Sequence, residues 1–106
     1  MHQHSKRDAF ILVTDHSMES FKNNIPSSMC LEKKKLKGIV LAMYYNGVEF
    51  GAQFGRAFLI RSTHTFSKKE VVFACEFQPD KKLVVIKTTL SLEHAIANME
   101  SIVQRR

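Results

Sequence analysis

Between Gly38 and Phe54 the chain reads GIVLAMYYNGVEFGAQF, two apolar stretches joined by Asn46-Gly47. Both central residues of a two-residue type I′ turn need positive φ, and Asn followed by Gly meets that demand at least steric cost. The pattern therefore predicts an antiparallel hairpin. Its register sets Tyr45 against Val48, Met43 against Phe50, Leu41 against Ala52 and Ile39 against Phe54, a wholly apolar face. The other face pairs Tyr44 with Glu49, Ala42 with Gly51 and Val40 with Gln53, a mixed surface.

Upstream, residues 1–8 are polar and predict a flexible tail, with residues 9–106 forming one domain. Ala9–Thr14 reads as a short strand. Asp15–Asn24 places Met18, Phe21 and Ile25 at helical spacing, with Asp15 or Ser17 as N-cap, and the residue before Pro26 ends the helix. Residues 27–37 are either a loop or a helical turn that holds Met29, Leu31 and Leu36 toward the core.

After the hairpin, Ala57–Thr63 predicts a strand whose first half is apolar on both faces, and residues 64–70 a polar loop. Val71–Phe77 predicts a strand with Val71, Phe73, Cys75 and Phe77 on one side. Gln78-Pro79-Asp80-Lys81 makes a turn into a last strand, Leu83–Thr88, which sets Cys75 against Val84 and Phe73 against Ile86. The final segment is an amphipathic helix capped by Ser91, with Leu92, Ile96, Met99 and Val103 along one stripe that packs on the sheet. The expected fold is α+β: a short strand and helix, then a twisted antiparallel meander of four or five strands packed against a C-terminal helix.

Composition alters this picture in one respect. Apolar content of 44% and charged content of 25% are ordinary for a folded domain, but the net charge is +6 and the pI about 9.6. A basic excess favours a polyanionic partner, nucleic acid or an acidic protein surface. Cys30 and Cys75 have no close spacing motif, so free thiols and a cytoplasmic setting are expected, Cys75 as a small buried residue. No apolar run reaches the roughly 20 residues that span a bilayer, and no membrane association is expected.

Catalysis needs a nucleophile or an acid and base held in mutual reach. Asp15-His16 is the nearest approach to one, and adjacent side chains point apart. A phosphate loop, a serine elbow and an HExxH motif are all missing from the sequence. His2 and His4 lie too close to the terminus, with too few companions, to make a metal site. No enzyme activity, metal or cofactor is predicted.

The residues that bear on binding are basic. Lys33, Lys34, Lys35 and Lys37 precede the hairpin, Lys68 and Lys69 precede the strand at Val71, and Lys81 and Lys82 follow it. Arg56, Arg61 and Lys87 lie in or beside strands, and Tyr44 on the mixed face is placed to stack an unpaired base. This set predicts a single-strand nucleic-acid binder of weak sequence specificity. An antiparallel meander followed by a helix in a small basic chain resembles the layout of single-stranded-DNA-binding transcription cofactors of the PC-four and Whirly type. No residue is carried over from them.

The competing expectation is a small protein-binding regulator, acting on an acidic partner or as a homodimer joined through the mixed face with Tyr44 and Val40 buried. Position of the lysines separates the two. Convergence on one groove favours nucleic acid, whereas scattered lysines beside an exposed apolar patch favour protein.

Overall fold

Residues Lys33–Asn46 form a 14-residue α-helix, not the first arm of a hairpin. Leu36, Val40, Met43 and Tyr44 are all buried, and their i, i+4, i+7, i+8 spacing is that of one helical face. Lysine, leucine, alanine and methionine are strong helix formers, so local preference and burial agree. The Asn-Gly pair marks the end of this helix: Gly47 donates its N–H to the Tyr44 carbonyl with φ −85° and ψ 176°, which is extended backbone and no type I′ turn. What Gly47 supplies is room. A Cβ there would sit 2.5 Å from Ile60 Cγ2 and 2.8 Å from the Arg61 carbonyl oxygen.

The computed structural model describes residues 9–51, 53 and 55–104, with side chains as far as Asn98 in the last helix; the expected tail, 1–8, lies outside the described residues. In chain order the elements are β1 (Phe10–Val13), α1 (Asp15–Asn24), α2 (Lys33–Asn46), β2 (Val48–Glu49), β3 (Ala57–Thr63), β4 (Glu70–Gln78), β5 (Leu83–Ser91) and α3 (Leu92–Gln104). The five strands form one sheet in the order β1-β5-β4-β3-β2. The expected antiparallel meander is present as β2 to β5, and β1 is added at the edge parallel to β5.

Alpha1 is capped by Thr14, whose hydroxyl accepts from the Ser17 N–H at 3.1 Å, in place of Asp15 or Ser17. The Ser17 hydroxyl instead donates back to the Thr14 carbonyl at 2.7 Å. A short 3-10 turn, Pro26–Ser28, follows; Leu31 and Leu36 then reach the core while Met29 stays exposed. The β4–β5 connection is a 3-10 turn over Pro79–Lys81 closed by Lys82 in the left-handed region, φ 49°. This four-residue link moves the register by two from the expected one: Cys75 opposes Ile86 and Phe77 opposes Val84. Beyond Cys75 the ladder slips once more, from Ile86 to Thr88 opposite Ala74, so Lys87 bulges out and Phe73 faces Thr89.

One sheet face is covered and the other largely bare. Alpha1 and α2 lie on the first, burying Phe21, Ile25, Leu36 and Val40 against Phe58, Ile60, Val71, Phe73, Val84 and Ile86. Alpha3 starts directly from β5, with the His94 N–H on the Ser91 hydroxyl at 3.1 Å as expected for its cap. Among its described side chains it meets the second face at one corner, where Ala95 and Val72 are fully buried outside the main core while Ile96 remains exposed; Met99 and Val103 of the expected stripe lie outside the described side chains.

Candidate interaction surface

Alternation along the strands decides what the uncovered face presents. Because Ala9, Val13, Val84 and Ile86 point into the core, Phe10, Leu12, Leu83 and Val85 point away from it. The parallel register places Phe10 beside Leu83 and Leu12 beside Val85. Phe10 is 77% and Leu12 46% exposed. Across β4 and β3 the same face continues through Ala74 and Leu59, which oppose one another. On β4 the residues opposite Leu83 and Val85 are Gln78 and Glu76, so the apolar band proper is confined to β1 and β5.

The strand cations are answered by carboxylates on β4. Arg61 Nε donates to Glu70 Oε1 at 2.6 Å and stacks over the Phe50 ring at 5.7 Å; Lys87 Nζ reaches Glu76 Oε1 at 3.4 Å. The hydrogen bond from Arg61 holds the Glu70 carboxyl below the usual carboxylate range, and the same bond raises the guanidinium. A carboxyl lowered on folding contributes stability above its unfolded pKa, and that contribution is lost as pH falls through the folded value. Thermal scans between pH 7 and pH 3 are therefore expected to show a smaller acid-induced loss for Glu70→Gln than for the parent, with the difference shrinking in high salt because the pair is solvent-accessible. Equal slopes would remove this pair from the acid sensitivity.

The loop lysines divide between the two ends of the sheet. Lys68 and Lys69 sit on the β3–β4 turn, at the end where β3 finishes. Arg56, Lys81 and Lys82 sit where β3 starts and β4 finishes. Lys33, Lys34, Lys35 and Lys37 occupy the first half of α2, on the helical layer, all exposed, with Lys33 bonded to Asp15 at 2.9 Å. The full set does not converge on one groove, since Arg56, Lys81 and Lys82 lie at the opposite end of the sheet from Lys68 and Lys69. Tyr44 is not an open-face platform: it lies in the core on α2, where desolvation pushes its hydroxyl well above its ordinary value. Val40 is buried there too, so the mixed hairpin face proposed for dimerisation does not exist as a surface.

A cleft of about 490 Å³ opens at the opposite edge, between α2 and the β3–β4 turn. His64, expected in a polar loop, is buried at its back, Nδ1 2.8 Å from the Ser67 hydroxyl and its ring edge-on to Phe21. Phe66 on the same turn is 90% exposed. Neither Phe66 nor the pair Phe10 and Leu12 is among the residues the sequence points to for binding. In sequence Phe10 and Leu12 are residues of a short apolar strand and read as core; their exposure follows from the place of β1 at the sheet edge. Asp15 and His16 open α1, where Asp15 is engaged by Lys33 at 2.9 Å, and among the described residues no three histidine, cysteine, aspartate or glutamate side chains come together. None of the described helices is long and apolar enough to cross a membrane.

No protein-family model, curated protein or solved structure matches this chain. Its function has to be read from its own surface.

Proposed function

We propose that this chain is a non-enzymatic protein-binding module, a small regulator whose contact surface is the uncovered sheet face and whose partner offers an apolar segment flanked by acidic residues. The exposure of Phe10 and Leu12 beside Leu83 and Val85 carries the reading. Exposed apolar residues gathered on one face, rather than scattered, mark interaction sites. Arg56, Lys81 and Lys82 stand at the end of the band, where Phe10 begins β1 with its N–H on the Lys82 carbonyl. Together with the net charge of +6, this rim supports an acidic partner over a neutral one. A cytoplasmic site of action fits the two free thiols.

A second reading, nucleic-acid binding, retains one supporting observation: Lys34, Lys35 and Lys37 project from one short helical stretch. Against it, the sheet face puts Glu70 and Glu76 beside its cations, and Tyr44 is unavailable for stacking.

The test compares the parent with a Phe10→Thr, Leu12→Thr double variant, which keeps β-propensity at exposed positions and so retains the fold. Proteins captured from cell extract by the parent and not by the variant are identified, purified and titrated. Hot-spot residues of this kind each contribute at least about 2 kcal/mol, so binding weaker by roughly 30-fold or more is expected. Equal capture by both proteins would overturn the reading. Salt-steep binding of a labelled single-stranded oligonucleotide that disappears in a Lys33, Lys34, Lys35 to glutamate triple variant would put nucleic acid in its place.

A further inference from the structure

The edge of the sheet opposite β1 is incompletely closed. Beta2 contributes two residues, which pair with Arg61 and Ile60 of β3. The main-chain directions along β3 follow from its flanking hydrogen bonds. Phe50 donates to the Leu59 carbonyl at 2.9 Å, so odd-numbered residues of β3 turn toward β2. His64 donates to the Lys69 carbonyl and Phe77 to the Arg56 carbonyl, each at 2.8 Å, so even-numbered residues turn toward β4. Antiparallel ladders alternate strictly in this way. Thr63 therefore directs its N–H and C=O to the β2 side, beyond the point where β2 has begun. The residue that would continue the ladder there is Asn46, and it belongs to a helix.

This edge is the floor of the cleft between α2 and the β3–β4 turn. We propose that the cleft receives an extended, acidic segment of a protein partner, which adds to β3 at Thr63 by main-chain hydrogen bonds and seats one apolar side chain against α2. The volume, about 490 Å³, is in the range of sites that enclose a few side chains. Ile39, Ala42 and Met43 form the helical wall, and Phe66 stands at the mouth. Strand addition of this kind takes affinity from the main chain and specificity from pockets for alternate side chains.

Charge selects the occupant. Lys35 precedes Ile39 by one turn on the same helical stripe as Ala42 and Asn46. Lys68 and Lys69 follow Phe66 on the turn that makes the other wall. Glu70, the carboxylate inside the cleft, is already engaged by Arg61. Both approaches are thus positive, and residues flanking the seated side chain meet them best as aspartate or glutamate.

The site is distinct from the β1 band, and the experiment keeps the two apart. The full chain, labelled with nitrogen-15, is titrated with a blocked peptide Asp-Glu-Thr-Leu-Thr-Glu-Asp and with its counterpart carrying lysine at every acidic position. Expected are saturable shifts at Asn46, Thr63 and Phe66, at least tenfold slower hydrogen exchange of the Thr63 amide, and several-fold weaker binding of the lysine peptide. Ala42→Lys, at an exposed helical position where lysine is well tolerated, is expected to abolish these shifts by filling the cleft; Phe10→Thr, Leu12→Thr is expected to leave them unchanged. Shifts confined to the lysine-bearing half of α2, unchanged exchange at Thr63, or equal binding of both peptides would each overturn the proposal.

Discussion

Phe21→Ala is expected to destabilise the domain by about 3–5 kcal/mol, the range for removing a fully buried phenylalanine. Phe21 has no exposed surface; its ring is stacked with Phe73, centroids 6.4 Å apart and planes within 11°, and meets the His64 ring edge-on at 6.1 Å. It is the point at which α1, the centre of the sheet and the β3–β4 turn meet. Around it α1 is tied to β5 by polar contacts, the Thr89 N–H on the Ser20 hydroxyl at 2.9 Å and the Thr89 hydroxyl on the Ser17 carbonyl at 3.0 Å. Such bonds orient the helix, but each contributes only about 1 kcal/mol net, so the ring decides the outcome. Domains of this size are stable by roughly 5–15 kcal/mol, and the variant should approach the unfolding threshold. Urea denaturation measures the loss; Phe21→Leu should cost less because more of the volume is kept. A loss below about 1 kcal/mol for the alanine variant would contradict the packing of α1 on β4.

The strands β3, β4 and β5 were legible in the sequence because each combines β-branched and aromatic residues with turn chemistry at its ends. Ala57–Thr63 matches β3 to the residue, and β4 and β5 run beyond the predicted ends by one to three residues. Alpha1 was legible from Met18, Phe21 and Ile25. The failure at residues 38–46 has a definite cause. Asn-Gly is a strong local turn signal, and a continuous apolar run such as IVLAMYY satisfies a period of two and a period of 3.6 at once. What distinguished them was Leu36, four residues before Val40, together with the helix-forming lysines that precede it; extending the window upstream would have shown the helical face.

The error propagated to the candidate site. Read as strand residues, Tyr44 and Val40 fall on a sheet face; on the helix both lie in the core. The lysines were correctly expected to be exposed, since no burial of a +6 chain's clustered ammonium groups is affordable without partners. Where they would gather was not readable, because position around a sheet depends on which end each connection occupies. The apolar band was hidden for a related reason. Phe10 and Leu12 look like core residues until β1 is known to be an edge strand whose outer face no helix covers.

Two glycine substitutions test the helix directly and have opposite expected signs. Gly47→Ala should lower stability by about 1–3 kcal/mol, because the added methyl meets Ile60 Cγ2 at 2.5 Å and two carbonyl oxygens, of Arg61 at 2.8 Å and Met43 at 3.2 Å. The backbone at Gly47 is open to any residue, so the loss is one of space and not of φ. Gly47→Asn should be worse still, whereas a type I′ turn would accept asparagine with little loss. Gly38 lies inside α2 with nothing within 4 Å of a built Cβ. Gly38→Ala should therefore raise stability by about 0.5–1 kcal/mol through the lost freedom of the unfolded chain and the better helix former. Denaturant midpoints and the helical circular-dichroism signal read both. A domain stabilised at Gly38 and destabilised at Gly47 has a helix running into a crowded strand crossing; stabilisation at neither, with Gly47→Asn neutral, would restore the hairpin. That pair of variants also bears on function, since α2 forms one wall of the cleft and the roof over the core, and only as a helix does it bring Ala42 and Asn46 to the edge where Thr63 lies open.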